Sequence, residues 1–371
     1  MFKNHPKGLI PAALANMGER FGFYTMMAIL TLFLMSKFNL SGTEAGLMYS
    51  IFYGAIYILA LVGGIIADRL QNYKGTIIVG LIVMSVGYVL LSMPVLITTK
   101  YIALAALLVI AFGNGLFKGN LQALVGQMYD NDQYRDKRDS GFQIFYMFIN
   151  IGAMFAPFLA SWARNTFVKM QGYAYNADLP GLCNQYLDGK MSEEVIGGRF
   201  SELATTVSSG VMPTDLAAFA TSYLDAFNTG FHYAFLTAVV AMGISLIIFL
   251  STKRHLPVPR SKEKTTTHIS PEELKKNAKE IRQRIYALLA VFGVVIFFWF
   301  SFHQNGLTLT YFAKDYTLLG GKLFSSVEVF QSINPILVVL LTPIIIAIFG
   351  RLAKRGKEPS TPKKIAIGMG I

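Results

Sequence analysis

The sequence has little of what an enzyme of this size would need. Its one cysteine, Cys183, excludes a disulfide within the chain. The five histidines are scattered, no His-Glu-x-x-His pattern occurs, and neither paired aspartates nor a nucleophile–base pair stand at helical spacing. Charged residues make up only 15% of the chain. We therefore predict that the protein is not an enzyme, has no catalytic residues and holds neither a metal nor a cofactor.

Long apolar segments are what the sequence has instead. Apolar residues make up 53% of the chain, and they recur in runs of about 18 or more, which a soluble core does not need. We predict an all-α integral membrane protein with eight complete spans and a ninth that begins near Lys364. The predicted spans cover about residues 9–36, 44–67, 76–98, 101–128, 142–162, 231–251, 285–312 and 325–350.

Positive charge is unevenly distributed along the chain. The formal net charge is +12, and ten Lys and Arg residues lie between Lys253 and Arg284, with six more between Arg351 and Lys364. The positive-inside rule then places the N-terminus in the cytoplasm, in a multi-pass protein of the inner or plasma membrane. Because the sequence contains no nucleic-acid recognition module, we expect this charge to orient the protein in the lipid bilayer and not to bind nucleic acid.

The order of the spans predicts three parts. Residues 1–251 form an N-terminal bundle of six helices with an exported loop at 163–230. Residues 252–284 form a cytoplasmic linker with an amphipathic helix, and residues 285–371 form an incomplete C-terminal bundle. Two spans begin with the spacing of a capping box, in which a Ser and a Glu three residues later bond each other's backbone. These pairs are Ser41 with Glu44 and Ser325 with Glu328.

Two of the predicted spans carry charges in their apolar interiors. Span 1 contains Glu19 and Arg20, and span 4 contains Lys118. Each such charge costs roughly 2.5–3.5 kcal/mol at the centre of a membrane helix, so it usually faces another charge, a substrate or water. One interpretation is an internal ion pair of Glu19 with Lys118 or Arg20 that only ties two helices together. We favour an anionic ligand, because one carboxylate cannot neutralise two cations.

Six motifs, in order and on matching spans, resemble the proton-dependent oligopeptide transporters of the major facilitator superfamily. They are Glu19-Arg20-Phe21-Gly22-Phe23-Tyr24, Gly64-x-x-x-Asp68-Arg69, Gly113-Asn114-Gly115-Leu116-Phe117-Lys118-x-Asn120, Phe142-x-x-x-Tyr146-x-x-x-Asn150-x-Gly152-Ala153, Trp299-x-x-x-His303-Gln304 and Phe330-Gln331-Ser332-x-Asn334-Pro335. The resemblance implies the major facilitator fold and import of di- and tripeptides by alternating access, coupled to protons. We expect the protein to be a monomer.

The resemblance also implies roles for single residues. Arg20 and Lys118 would face the peptide's C-terminal carboxylate, while the amides of Asn150 and Asn334 would contact its amino end and backbone. The implied pocket-lining aromatics are Tyr24, Tyr57, Tyr146 and Trp299. The implied gating residues are Asp68, Arg69 and Met27. Glu19 and His303 are the candidates for proton coupling, since an imidazole titrates near neutral pH.

Several positions depart from the family pattern. Asn16 stands where a glutamate is usual, and Met27 and His303 replace the two partners of the usual gate salt bridge. These changes leave open a peptide facilitator or exchanger without proton coupling, and a peptide-binding membrane sensor that does not transport. The family has at least twelve spans, whereas the resemblance ends in the ninth. Either the sequence is a fragment or another chain supplies the remaining helices, and we favour a fragment.

Overall fold

A computed structural model describes residues 5–257, 271–318 and 326–370. This part of the chain forms helices and no strands. The helices are α1 Leu9–Phe38, α2 Gly42–Leu70, α3 Tyr73–Ser92, α4 Lys100–Gln127, α5 Arg138–Met170, α6 Leu179–Leu187, α7 Glu193–Val195, α8 Ser201–Val207, α9 Leu216–Thr252, α10 Pro271–Phe302, α11 Thr308–Tyr316, α12 Ile333–Lys354 and α13 Thr361–Gly370. Eight helices in this described part are long and apolar enough to cross a membrane, which confirms the predicted all-α membrane fold.

The chain divides into two compact units. One comprises Met1–Pro257 with Leu319–Ile371, and the other comprises Val258–Leu318 and contains α10 and α11. The predicted linker 252–284 falls partly on residues 258–270, which lie outside the described residues. The predicted division into 1–251, 252–284 and 285–371 therefore stays a prediction.

Close backbone contacts join the helices of the first unit. Helix α1 is largely buried and packs against α5 and α9, while α4 packs against both α2 and α3. Glycines permit the closest approach, because a Cβ atom added at Gly63 of α2 would lie 2.1 Å from the carbonyl oxygen of Gly115 in α4. Because no side chain stands at this crossing, the backbones of α2 and α4 can lie in direct contact. These two helices carry part of the candidate site.

The segment between helices α5 and α9 is shorter than the predicted exported loop 163–230, whose exported position stays a prediction. Helix α5 continues to Met170 and α9 begins at Leu216, where the Asp215 side chain accepts hydrogen bonds from the Ala217 and Ala218 amides. The first turns of α9 are apolar enough to pack against the intervening residues, so the helix starts earlier than its membrane-spanning part. We call residues 171–215 the cap.

The cap has a core of its own and is tied to the ends of two membrane helices. Its buried apolar residues are Leu179, Cys183, Phe200, Ala204 and Val207. The Asn184 side chain donates to the Ser36 carbonyl at the end of α1, at 3.2 Å, and the backbone amide of Asn176 donates to the Tyr223 hydroxyl in α9, at 3.0 Å. Burial raises the pKa of the Cys183 thiol to about 12. The cap is therefore a packed element fixed to α1 and α9.

The two predicted capping boxes have different outcomes. Ser41 and Glu44 form the reciprocal hydrogen bonds of a capping box at the start of α2, which confirms the first. Ser325 lies outside the described residues, and the carboxylate of Glu328 pairs with Arg164 of α5. The capping box of Ser325 and Glu328 therefore stays a prediction, while the buried guanidinium of Arg164 gives Glu328 a charged partner that the sequence analysis did not predict.

Candidate functional site

A buried ion pair joins two neighbouring residues of α1. Arg20 donates from Nε and Nη2 to the two carboxylate oxygens of Glu19, each at 2.5 Å. The side chain of Asn114 in α4 donates to the same carboxylate, at 3.0 Å. Glu19 is 0% exposed and Arg20 is 5% exposed. The two charges therefore neutralise each other, and Asn114 satisfies a further acceptor site on Glu19.

Lys118 remains without a carboxylate in this arrangement. It lies one helical turn after Asn114 in α4, within electrostatic range of both Glu19 and Arg20, yet it forms no ion pair with any described residue. Its ammonium group lies 5.3 Å from the centre of the Tyr57 ring, which presents a π face to the cation. We define Glu19, Arg20, Asn114, Lys118 and Tyr57 as the central cluster, and its formal charge is one positive.

Aromatic side chains surround the central cluster. The guanidinium of Arg20 lies 4.6 Å from the centre of the Phe23 ring, and Phe23 contacts Tyr24 edge-on. Tyr24 is close enough to Arg20, Tyr57 and Tyr146 to interact with each electrostatically. Tyr57 keeps 49% of its surface exposed. The structure thus brings Tyr24 and Tyr57, two of the predicted pocket residues, to the predicted cations Arg20 and Lys118.

Two more of the predicted residues meet between α5 and α12. Tyr146 and Asn334 line one cavity of about 370 Å³, together with Gln143 and apolar residues of α12. Asn150 is buried and donates to the carbonyl of Tyr146 in its own helix, at 2.9 Å. Asn334 lines this cavity, and one of the two N–H groups of the Asn150 side-chain amide is used within α5.

Trp299 and His303 lie in the second unit. Their rings are stacked with 5.4 Å between centres and an angle of 24°. They are described within that unit only, and their predicted roles in substrate binding and proton coupling stay predictions.

The predicted gating residues have local surroundings. Asp68, at the end of α2, accepts hydrogen bonds from the Tyr73 hydroxyl at its carboxylate and from the Gln71 side chain at its carbonyl. Arg69 is exposed, and Met27 is buried in α1. The contact across two halves that we predicted for Asp68 and Arg69 stays a prediction.

A second buried ion pair was missed by the sequence analysis. Arg164, in the last turns of α5, donates from Nη1 to Glu328, in the 3-10 turn Val327–Ser332 that precedes α12, and both side chains are fully buried. The Nε and Nη2 groups of Arg164 donate to the Asn165 side chain, each at 3.0 Å. We call Arg164, Asn165, Ser326 and Glu328 the latch. It joins span 5 to the start of span 8 at the end of the bundle that carries the cap.

Rings cover the guanidinium of the latch. Its central carbon lies 4.0 Å from the centre of the Tyr175 ring in the cap, and 5.6 and 5.4 Å from the rings of Phe227 and Phe231 in α9. The sequence signal for this site was an arginine beside an asparagine just after an apolar span. We had placed it in the exported loop because span 5 was predicted to end at residue 162.

The structure offers no site for a metal ion within the described ranges. No group of three His, Cys, Asp or Glu side chains among residues 5–257, 271–318 and 326–370 is close enough to hold one. The charged groups of the central cluster instead suit an organic anion, because an unpaired ammonium binds a carboxylate by charge and hydrogen bonding.

Comparison of the sequence with protein families finds a match to one family over more than half of the chain. The POT family matches residues 74–183 and 260–371. Similar individual proteins include the uncharacterized transporter YclF of Bacillus subtilis, which is 28% identical over 384 residues covering 99% of this chain and 72% of that protein. Dipeptide and tripeptide permease B of Edwardsiella piscicida is 27% identical over 382 residues, covering 99% of this chain and 70% of the permease.

Solved structures with the same fold include two transporters. One is a peptide transporter POT in complex with sulfate, with a TM-score of 0.58 and 22% identity over 99% of this chain and 73% of that chain. The other is a POT family transporter in complex with 5-aminolevulinic acid, with a TM-score of 0.60 and 21% identity over 97% of this chain and 73% of the other. At 21–22% identity, the likeness to these two structures shows the fold alone.

Proposed function

Because the chain belongs to the POT family of membrane transporters, we propose that it imports di- and tripeptides by alternating access. The observation that carries this proposal is Lys118, which has no ion-pair partner in the described part of the chain, beside a neutral Glu19–Arg20 pair. A free peptide always bears a C-terminal carboxylate, so one fixed ammonium can bind peptides of many sequences. The relative named dipeptide and tripeptide permease B supports the same substrate class.

In this proposal Lys118 is the main anchor of the peptide carboxylate. Arg20 contributes as part of a neutral pair, since both of its observed hydrogen bonds go to Glu19. Asn150 and Asn334 serve the peptide's amino end and backbone. The pocket aromatics Tyr24, Tyr57, Tyr146 and Trp299 provide ring faces for side chains of varied size.

We assign the cap to the outside of the cell and the N-terminus to the cytoplasm of an inner or plasma membrane. The runs of basic residues after α9 and after α12 support this orientation. With this orientation the latch holds the outer ends of spans 5 and 8 together, and it must separate when the transporter opens outward. Both charged clusters are built from residues of one chain, which supports a monomer as the transporting unit.

The driving force in this proposal is a proton gradient, with Glu19 and His303 as the coupling residues. Coupling requires a group whose proton affinity differs between the outward-open and inward-open states. Asn16 cannot titrate, and Glu19 is enclosed by three N–H donors in the observed state. His303 therefore carries most of the expected pH dependence of uptake between about pH 5 and 8.

The test is uptake of a radiolabelled dipeptide into vesicles that contain the full-length protein, beside equilibrium binding of the same peptide. We expect accumulation above the outside concentration under an imposed proton gradient, and a loss of that accumulation in His303→Gln but not in the control His255→Gln. Exchange without accumulation identifies a facilitator. Binding without uptake identifies a sensor, and no binding of any peptide contradicts the proposal.

A further inference from the structure

We infer that Tyr175 in the cap is a positioning residue for the latch, so that the cap controls how readily the outer end of the transporter opens. This inference rests on the proposed role of the latch. It concerns the segment between spans 5 and 6, to which the proposed function assigns no role. The contacts around Arg164 carry the inference.

The hydrogen bonds of Arg164 go to groups around the edge of its guanidinium. Nη1 donates to Glu328, Nη2 also approaches Ser326 Oγ at 3.4 Å, and the remaining bonds go to the Asn165 side chain. A guanidinium is planar and its N–H groups point outward in that plane, so its two faces are left for packing. Tyr175 covers a face at 4.0 Å. A ring in this position keeps Nη1 directed at Glu328 because it restricts rotation of the plane.

The Tyr175 ring is itself held firmly. It stacks on Phe227 of α9 with 5.8 Å between ring centres and an angle of 10°. The residues on either side of it are fixed, since Ala174 donates to the Val207 carbonyl at 2.8 Å and Asn176 donates to the Tyr223 hydroxyl. Contacts within the cap and with α9 therefore hold the ring in place in addition to its contact with Arg164.

Helix α9 leaves space for the stem of the arginine side chain at Gly230. A Cβ atom added at Gly230 of α9 would lie 3.0 Å from both Cγ and the carbonyl oxygen of Arg164. The Cγ atom of Arg164 thus lies close to a glycine, while its guanidinium lies against a ring. Two independent changes, one at Tyr175 and one at Gly230, should disturb the same guanidinium.

The experiment measures opening of the outer end by labelling a buried thiol. Ser332 lies in the same 3-10 turn as Glu328 and is 1% exposed, so Ser332→Cys should react with a membrane-impermeant maleimide only when this end opens. Each variant is also measured with Ser332 retained as its own blank, because Cys183 lies in the core of the cap and could be exposed when the cap loosens. The labelling rate is measured in vesicles for Tyr175→Leu, Tyr175→Phe and Tyr186→Leu in the Ser332→Cys background.

We expect Tyr175→Leu to raise the labelling rate about 5- to 30-fold, the range that a buried cation–ring contact implies. Tyr175→Phe keeps the ring and should leave the rate unchanged. Tyr186 stacks on Phe200 within the cap and is a matched control for general loosening of the cap. Gly230→Ala should raise the rate as well, and it provides the test if Tyr175→Leu fails to reach the membrane.

A second comparison separates this inference from the proposed function. In a Glu328→Gln background the ion pair is already broken, so Tyr175→Leu should add nothing. An equal increase in both backgrounds, or an equal increase with Tyr186→Leu, would overturn the positioning role of Tyr175. If Glu328→Gln alone leaves the labelling rate unchanged, the latch itself is wrong and the inference is rejected with it.

Discussion

The central cluster and the latch use the same two residue types to different ends. Each has one arginine bonded to one fully buried glutamate. In the latch the charges balance, and the guanidinium is enclosed by hydrogen-bond partners at its edge and by rings. In the central cluster Lys118 adds a second cation, which has a half-exposed tyrosine beside it and no carboxylate among the described residues.

In the proposed function, surplus charge more than burial separates the ligand site from an internal contact. A balanced buried ion pair needs no ligand to neutralise it, and its contribution to stability depends on whether the two partners stay together. An unbalanced cluster is stabilised most when it binds an anion. Predictions that remove one charge from each cluster therefore test the comparison directly.

The largest effect should come from Glu328→Gln. It leaves the Arg164 charge buried without its partner, which should destabilise the closed state by about 3–5 kcal/mol. The measurement is the thermal unfolding midpoint of the detergent-solubilised protein. Replacing both partners by Met should recover most of the loss, and Asp178→Asn, which breaks the exposed pair with Arg199, should change little. A Glu328→Gln midpoint equal to that of Asp178→Asn would contradict the role of the latch.

The next effect concerns the anchor in the central cluster. Lys118→Gln should weaken binding of free-carboxylate dipeptides by about 1.5–3 kcal/mol, the range for a hydrogen bond to a charged group. Binding of the same dipeptides as C-terminal amides should change far less. Lys100→Gln, at the half-exposed start of the same helix, is the matched control. Equal losses for acids and amides would reject the carboxylate role and leave Lys118 as a structural cation.

A smaller effect should follow from altering the helix contact beneath the central cluster. Gly115→Ala would place a Cβ atom 2.4 Å from the Leu59 carbonyl oxygen, forcing α2 away from α4 at a cost of about 1–3 kcal/mol. Because this contact sets the distance between Tyr57 and Lys118, peptide affinity should fall as well. Gly119→Ala, one turn later with open space around it, should be neutral in both stability and peptide binding.

The smallest effect should appear at the rim of the cap. A hydrogen bond from Lys190, its charge and a hydrogen bond from Asn39 lower the pKa of Asp188 below its ordinary value of 3.8. A carboxyl with a lowered folded-state pKa stabilises the fold above its unfolded pKa and loses that stabilisation as the pH falls through the folded value. The cap should therefore loosen slightly below about pH 4. Asp188→Asn should remove this acid dependence of the midpoint, and an unchanged dependence would assign it to another group.

Much of the fold could be predicted from hydropathy, because a membrane span needs length and apolar composition more than specific contacts. The charges of Glu19, Arg20 and Lys118 were equally visible, since they interrupt apolar runs. Whether Arg20 or Lys118 would pair with Glu19 could not be predicted from the sequence. That choice depends on the rotation of α4, which directs the Asn114 amide to the carboxylate.

The latch was missed for a related reason. Arg164 lies near the end of an apolar span, where a charged residue is ordinary, and its partner is far along the chain. Helices α5 and α9 extend beyond the apolar stretches that define the spans, and the cap packs against these extensions. Without the packing of Tyr175, Phe227 and Phe231, the sequence at Arg164 is indistinguishable from a loop start.

The distance along the chain between the two latch charges has a consequence for biosynthesis. Glu328 follows Arg164 by 164 residues, so at about 5–20 residues per second the ribosome makes the carboxylate roughly 8–33 seconds after the arginine. Tyr175, Phe227 and Phe231 are all made within that interval. Their ring faces can hold the guanidinium in the nascent bundle before its counter-charge exists, which would let the first six spans assemble while span 8 is still being translated.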